Sequence, residues 1–344
     1  MFGLDCQFPR ANQFDTPLFL FYIKDSFSEE RWAFRLNLFI LYTQILIMFL
    51  LMGVGAFCYR RGIITDAGSK DLSALLINIV APCLIIQSFQ REYDPAMFGR
   101  LVQALLLSAL MTICAIVIAA VFFRKNQSDY ADRRMCVVFP NNGFMALPLL
   151  QALCGSDGVF VGSVYIVITN IFLWTYGVHT LCSASGKHGG KVNWKKIFFN
   201  PGTVGFYIGL LTFLTSFQFP SIIGTPIEYL SALNTPLAMI VLGVYLAQSQ
   251  LLDILRDRST YLVCLFRLLL IPMLCIVVAL LLPWDSLVSQ VMVISTATPC
   301  AIASSMFAQQ FGTNYRYSSR IIAFSTLLSA ISMPCILSLY NLFL

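Results

Sequence analysis

The residues that could do chemistry in this chain are few, and they sit in apolar surroundings. Phe139-Pro140-Asn141-Asn142-Gly143 interrupts one long apolar run, and Ser295-Thr296-Ala297-Thr298-Pro299-Cys300, followed by Ser304 and Ser305, interrupts another. Proline and glycine are poor material for a continuous helix, and proline also removes a backbone donor. Two adjacent asparagines bring amide donors and acceptors that an apolar run cannot satisfy. If each run is a helix broken at these residues, each break begins a new half-helix. A half-helix N-terminus carries roughly half a positive charge and free N–H groups. Two such ends brought together make an anion site that needs no lysine. The candidate binding residues are therefore Pro140, Asn141, Asn142 and Gly143 at the first break, and Thr298, Pro299 and Cys300 at the second. Asn170, in the next apolar run, is a further candidate that could face the first break. Arg267 is the one charge deep inside a run. Lipid exposure would cost it about 2.5–3.5 kcal/mol, so it must face protein or water. It is read either as a structural anchor or as electrostatic steering for the anion.

Composition says what must hold these residues. The chain has 344 residues, of which 58% are hydrophobic and only 11% charged. Soluble domains average about 25% charged residues, so a soluble globule and a disordered chain are both excluded. The net charge is +6, but the basic residues lie in short loops between apolar runs, so no nucleic-acid partner is expected. The eleven cysteines never approach CxxC spacing, and only His179 and His188 could join them as ligands. Neither a metal site nor a disulfide framework is expected, and no cofactor is implied. The remaining class is an all-α polytopic membrane protein, with lipid as its surroundings.

Ten spans fit the apolar runs, near 36–59, 70–89, 98–123, 134–154, 157–182, 197–217, 226–248, 259–282, 286–311 and 318–343. Each must be helical, because lipid offers the backbone no hydrogen bonds. Lys and Arg concentrate in the odd-numbered loops, for example Arg60, Arg61, Arg124, Lys125, Lys195, Lys196 and Arg256. The even-numbered loops carry only Arg91 and Arg100. The positive-inside rule then makes the odd loops cytoplasmic and both termini extracytoplasmic, in the plasma (inner) membrane. Residues 1–35 read as an extension, either an interfacial segment anchored by Phe27, Trp32 and Phe34 or a tail.

The polar linker 183–196 separates five spans (36–182) from five (197–344). An odd number of spans per half inverts the second half relative to the first. Matching landmarks support such an inverted repeat: Pro82 with Pro236, Pro140 with Pro299, and Gly155 with Gly312. Asn78 and Asn234 precede Pro82 and Pro236, and are read chiefly as returning hydrogen bonds to helices opened by those prolines.

Five stretches resemble the auxin efflux carrier family, which includes the plant PIN-formed carriers and prokaryotic permeases. They are 141–155 (NNGFMALPLLQALCG), 170–177 (NIFLWTYG), 200–210 (NPGTVGFYIGL), 236–247 (PLAMIVLGVYLA) and 299–312 (PCAIASSMFAQQFG). The short loop after span five is similar to the prokaryotic members. The resemblance implies crossing, broken helices 4 and 9, and a scaffold of helices 1, 2, 6 and 7 that often forms a homodimer. It also implies a moving transport domain of helices 3–5 and 8–10. Pro140 and Pro299 match the crossover prolines, and Asn142 matches the asparagine that contacts a substrate carboxylate. The chain departs from the pattern at the second break, where Thr298 and Cys300 stand with no asparagine. The expectation is a secondary transporter of a small organic anion, a mono- or dicarboxylate, working by an elevator motion. The rival is a sensor or scaffold that binds a ligand without moving it. No HExxH, GxSxG or paired carboxylates in the spans suggest an enzyme, and no charged ring or filter repeat suggests a channel.

Overall fold

The computed structural model describes the backbone of residues 18–186, 195, 198–249 and 258–343, with side chains from residue 39 onward. The extension 1–35 falls partly, and the linker 183–196 mostly, outside the described residues. The described residues are helical, and their one β-type pairing is an isolated bridge between Pro140 and Cys300. Among the described residues, seven helical stretches are long and apolar enough to cross a membrane: Phe39–Arg60, Asp66–Ser88, Pro95–Phe122, Asn142–Ala184, Ser221–Gln248, Arg258–Leu281 and Tyr315–Phe343. Pro201–Leu214 and Ser286–Ala297 are shorter apolar helices.

Proline accounts for much of the local shape. Helix α2 (Asp66–Leu75) passes through a π turn, Leu76–Val80, into α3 (Ala81–Ser88), whose second residue is Pro82. The π turn Asn142–Ala146 leads likewise into α6 (Leu147–Phe172) with Pro148. The π turn Phe266–Leu270 joins α11 (Arg258–Leu265) to α12 (Ile271–Leu281) with Pro272. A proline ring collides with the carbonyl four residues earlier, and a widened turn moves that carbonyl aside. The three carbonyls concerned, of Asn78, Phe144 and Leu268, each lie in the π turn. Asn142 and Arg267 are thus both carried on widened turns set up by a downstream proline.

Glycine makes the other breaks. Gly155 (φ 61°, ψ −153°) splits α6 into two helices, in a conformation open essentially to glycine alone. This explains how the 43-residue stretch Asn142–Ala184 bends where the sequence suggested one span ending and another starting. Gly312 (φ 81°) terminates α14 (Ile302–Phe311).

Two helix pairs pack through glycine at backbone distance. A Cβ on Gly55 of α1 (Leu18–Arg60) would strike the backbone of Ile240 in α10 (Asn234–Gln248), and one on Gly243 would strike the backbone of Met52. In α8 (Pro201–Leu214), Gly205 abuts Pro82 and Gly209 abuts the Phe89 ring. Small residues permit this approach where lipid supplies no hydrophobic drive between helices. Gly53, two residues away and on another face of α1, has nothing within 4 Å of an added Cβ. Gly243→Ala should therefore destabilise the protein by about 1–3 kcal/mol through overpacking against backbone. Gly53→Ala should be neutral or raise stability by up to about 1 kcal/mol. Thermal unfolding of both variants in detergent micelles checks the contrast.

Candidate functional site

The site is the junction of the two sequence breaks. Helix α5 (Tyr130–Val138) ends at the first and α13 (Ser286–Ala297) at the second. Between their ends, the backbone of 139–141 runs beside that of 299–301. The Asn141 N–H donates to the Pro299 carbonyl at 2.9 Å, and the Ala301 N–H donates to the Phe139 carbonyl at 2.9 Å. Prolines at 140 and 299 stop both helices, and the exposed peptide groups then satisfy one another. The interruption costs few unpaired groups, as membrane depth requires. The Cys300 N–H donates to Ser325 Oγ (3.2 Å), and Ser304 Oγ donates to the Met135 carbonyl (3.2 Å).

Arg267 binds the two helix ends from the other side. Its side chain is 0% exposed. Nε donates to the Thr298 carbonyl at 3.1 Å, and Nη1 to the carbonyls of Val137 (3.2 Å) and Val138 (3.4 Å). Nη2 donates to the Thr296 carbonyl. These carbonyls belong to the last turns of α5 and α13. Each helix C-terminus carries about half a negative charge, so two of them offset roughly one guanidinium charge. Arg267 thus acts as a backbone cap shared by two broken helices. This placement corresponds to the anchor reading of the sequence; its donors are spent on carbonyls.

The opposite ends have no such cap. The segments that leave the junction are the π turn Asn142–Ala146, continuing into α6, and α14. Their N-termini carry the partial positive charge. No Asp or Glu stands among residues 133–156 or 286–344 to neutralise them. Asn141 and Asn142 are 3% and 5% exposed. Both amide atoms of Asn142, and the Asn141 amide nitrogen, lack a hydrogen-bond partner. The next residue, Gly143, is half-buried, and an added Cβ there would meet nothing within 4 Å. Buried amides without partners cost about 1–3 kcal/mol each unless something bonds to them.

Of the residues singled out in the sequence, Pro140, Asn141, Asn142, Thr298, Pro299 and Cys300 meet at this junction, with Gly143 on the adjoining turn. Thr298 Oγ1 is turned back to the Ser295 carbonyl (2.7 Å). Asn170 lies half-buried near the C-terminal end of α6, where its carbonyl accepts from Leu173. Two features carried no sequence signal strong enough to find. One is the pairing of Arg267 with both breaks. The other is Asp132, a 2% exposed carboxylate that accepts from Thr313 Oγ1 (2.9 Å), Ser318 Oγ (3.0 Å) and the Asn314 N–H (3.2 Å). It fastens the start of α5 to the start of α15 (Tyr315–Phe343). Asn234 departs from its expected role. It does not return hydrogen bonds to its helix: it is 1% exposed and neither amide atom has a partner. No group of three or more His, Cys, Asp or Glu side chains among the described residues could hold a metal.

The model of the family described as membrane transport protein matches residues 40–337. The chain belongs to that family, the auxin efflux carriers. It is also similar to an uncharacterized transporter of Methanothermobacter thermautotrophicus, 26% identical over 276 residues, which covers 79% of this chain and 89% of that one. The matched region contains both breaks, Arg267 and the glycine-packed pairs, and it begins just after the extension 1–35. The protein is an integral membrane protein of a transporter family.

Arg267→Met should leave four buried carbonyls without donors. At about 1–3 kcal/mol for each unsatisfied group, most folded protein should be lost. Arg267→Lys, with one compact ammonium, should recover part of the loss. A thiol-reactive dye that reports exposure of buried Cys136, Cys264, Cys275 and Cys300 on heating measures both.

Proposed function

We propose that this carrier moves a small organic anion, a mono- or dicarboxylate, by elevator-type alternating access. The observation that carries the reading is the asymmetry of charge at the junction. Arg267 compensates the two negative helix ends, and the outgoing segment at the first break starts with partnerless asparagine amides followed by Gly143, whose Cβ position is open. An anion would satisfy both the dipoles and the donors. Asn142 would donate to the carboxylate, with Asn141, Gly143 and the first turn of α14 completing the cradle. Pro140 and Pro299 hold the shape. Thr298, with its hydroxyl turned away, and Cys300 would give the second break a weaker part in binding. Asn170 would act along the access path. Arg267, with its charge offset by the two helix ends, would serve as a cap and not as electrostatic steering.

The proposed chain crosses the membrane ten times, as two inverted repeats whose broken fourth and ninth helices cross at the junction. The glycine-packed pairs support this arrangement. α1 packs on α10 and α8 packs on α3, which is the pairing an exchange of repeats would generate. Helices 1, 2, 6 and 7 would be the scaffold and the contact face for a second copy in a homodimer. Helices 3–5 and 8–10 would move as one body, held together by Arg267 and Asp132. The protein would lie in the plasma (inner) membrane with both termini extracytoplasmic. In this conformation Arg91 bridges to Asp157, donates to Ser156 and stacks over Phe160, within a cluster that includes Phe89, Phe206 and Phe213. That contact would seal the extracytoplasmic side and would have to separate for the site to open there.

Asn142→Ala should leave folding unchanged and lower carboxylate uptake into proteoliposomes at least about tenfold, the equivalent of one lost charge-assisted hydrogen bond. Uptake of labelled malate, malonate, citrate and indole-3-acetate, with and without proton and sodium gradients, checks this. Unchanged uptake in the variant would refute the site. Binding without uptake would favour a ligand-binding sensor.

A further inference from the structure

We infer that Asn234 is a second polar contact for the transported anion, and that it selects substrates carrying a hydroxyl or second carboxyl group distant from the first carboxylate. This rests on the anion site proposed above and goes beyond it by assigning a role to a residue on a different helix.

The first observation is chemical. Asn234 opens α10, whose other buried residues are apolar or glycine: Ala238, Met239, Val241, Leu242, Gly243 and Val244. The residue is 1% exposed, and both its amide oxygen and its amide nitrogen lack partners. A structural asparagine near Pro236 would bond to the carbonyls that the proline leaves open, and this one does not. A buried amide left unsatisfied is destabilising, and a ligand that bonds to it on binding would account for its place here.

The second observation is placement. Helix α10 packs on the π turn Asn142–Ala146 that carries Asn142, and also on the π turn Leu76–Val80. The far end of α10 is pinned to the start of α2, where Gln248 Nε2 donates to Asp66 Oδ1 (2.8 Å) and Tyr245 shares a hydrogen bond with Ser73 (3.0 Å). Asn234 lies fourteen residues before Gln248, hence about 21 Å along the helix from that end. Asn142 is reached from the start of α5 by nine helical residues and a short extended segment, about 23 Å in all. In the topology proposed above, the starts of α2 and α5 lie two crossings apart, on the same side. In that topology the two partnerless asparagines fall at similar depth, on elements that are in contact.

An anion held at Asn142 by its carboxylate would present its other end toward α10. An amide there can donate to a second carboxylate or pair with a hydroxyl. It offers nothing to an alkyl chain, which would leave it unsatisfied. Sites built to bond a polar group reject the analogue that lacks it more strongly than apolar sites reject an added one.

The test compares L-malate with butyrate, a monocarboxylate of the same chain length, in proteoliposomes carrying wild type, Asn234→Leu, Asn234→Ala or Asn142→Ala. Wild type should prefer malate. Asn234→Leu should raise the malate KM about tenfold, as loss of one hydrogen bond to a charged group would, and leave butyrate unchanged or improved. Without ligand its melting temperature should hold or rise, because an unsatisfied amide has been removed. Asn142→Ala should lose both substrates. An unaltered malate KM in Asn234→Leu, with Asn142→Ala inactive, would overturn this inference and leave the anion site standing. So would equal transport of butyrate and malate by wild type. A sharp fall in melting temperature for both Asn234→Leu and Asn234→Ala would show the amide to be structural, and would also overturn it. If wild type took up no carboxylate, the anion site itself would fall, and this inference with it.

Discussion

One buried guanidinium makes the broken helices tolerable. A helix interrupted at membrane depth leaves carbonyls that neither lipid nor a continuing helix can satisfy. Here two such ends are aimed at Arg267, which gives hydrogen bonds to Val137, Val138, Thr296 and Thr298. The arrangement solves two problems at once. The carbonyls gain donors, and a cation that would be ruinously expensive alone is neutralised by two partial negative charges instead of a carboxylate. The remaining peptide groups at the break are consumed by the short ladder between residues 139–141 and 299–301. What is left over is polar and positive on one side only: the N-terminal ends of the outgoing segments and the free amides of Asn141 and Asn142.

The same clamp has a mechanical consequence. Arg267 belongs to the turn between α11 and α12, so it joins three elements that are far apart in sequence. Asp132 makes a second tie, between the start of α5 and the start of α15. Elements tied at both levels form one braced unit around the junction. The glycine-packed pairs, in contrast, bring backbones into contact at Gly55, Gly243 and Gly205. The structure thus contains both a braced body that includes the site and close-packed pairs that could support it.

Much of this was legible in the chain because its causes are local. The all-helical class follows from composition. The breaks follow from Pro140, Gly143 and Pro299, whose effects on the backbone do not depend on distant partners. Gly155 and Gly312 were readable as helix ends for the same reason, and both take positive φ. What could not be read depends on distant pairing. Arg267 was visible as an unusual charge, but its partners lie 29 to 130 residues away and are backbone carbonyls, which leave no mark in side-chain sequence. Asp132 likewise takes partners 181 to 186 residues away, which no local pattern marks. Asn234 was assigned to its own proline because local repair is the default use of such a residue, and only its unbonded amide in the folded chain argues otherwise.

The central claim is that the junction accommodates negative charge. Current recorded from proteoliposomes on a solid-supported membrane tests it most directly, because it reads the sign of the charge moved with the substrate. Concentration jumps of malate should give saturable currents with the sign of anion entry, absent from empty liposomes and from the Asn142→Ala protein. Saturable currents driven by organic cations, with none from any carboxylate, would contradict the account.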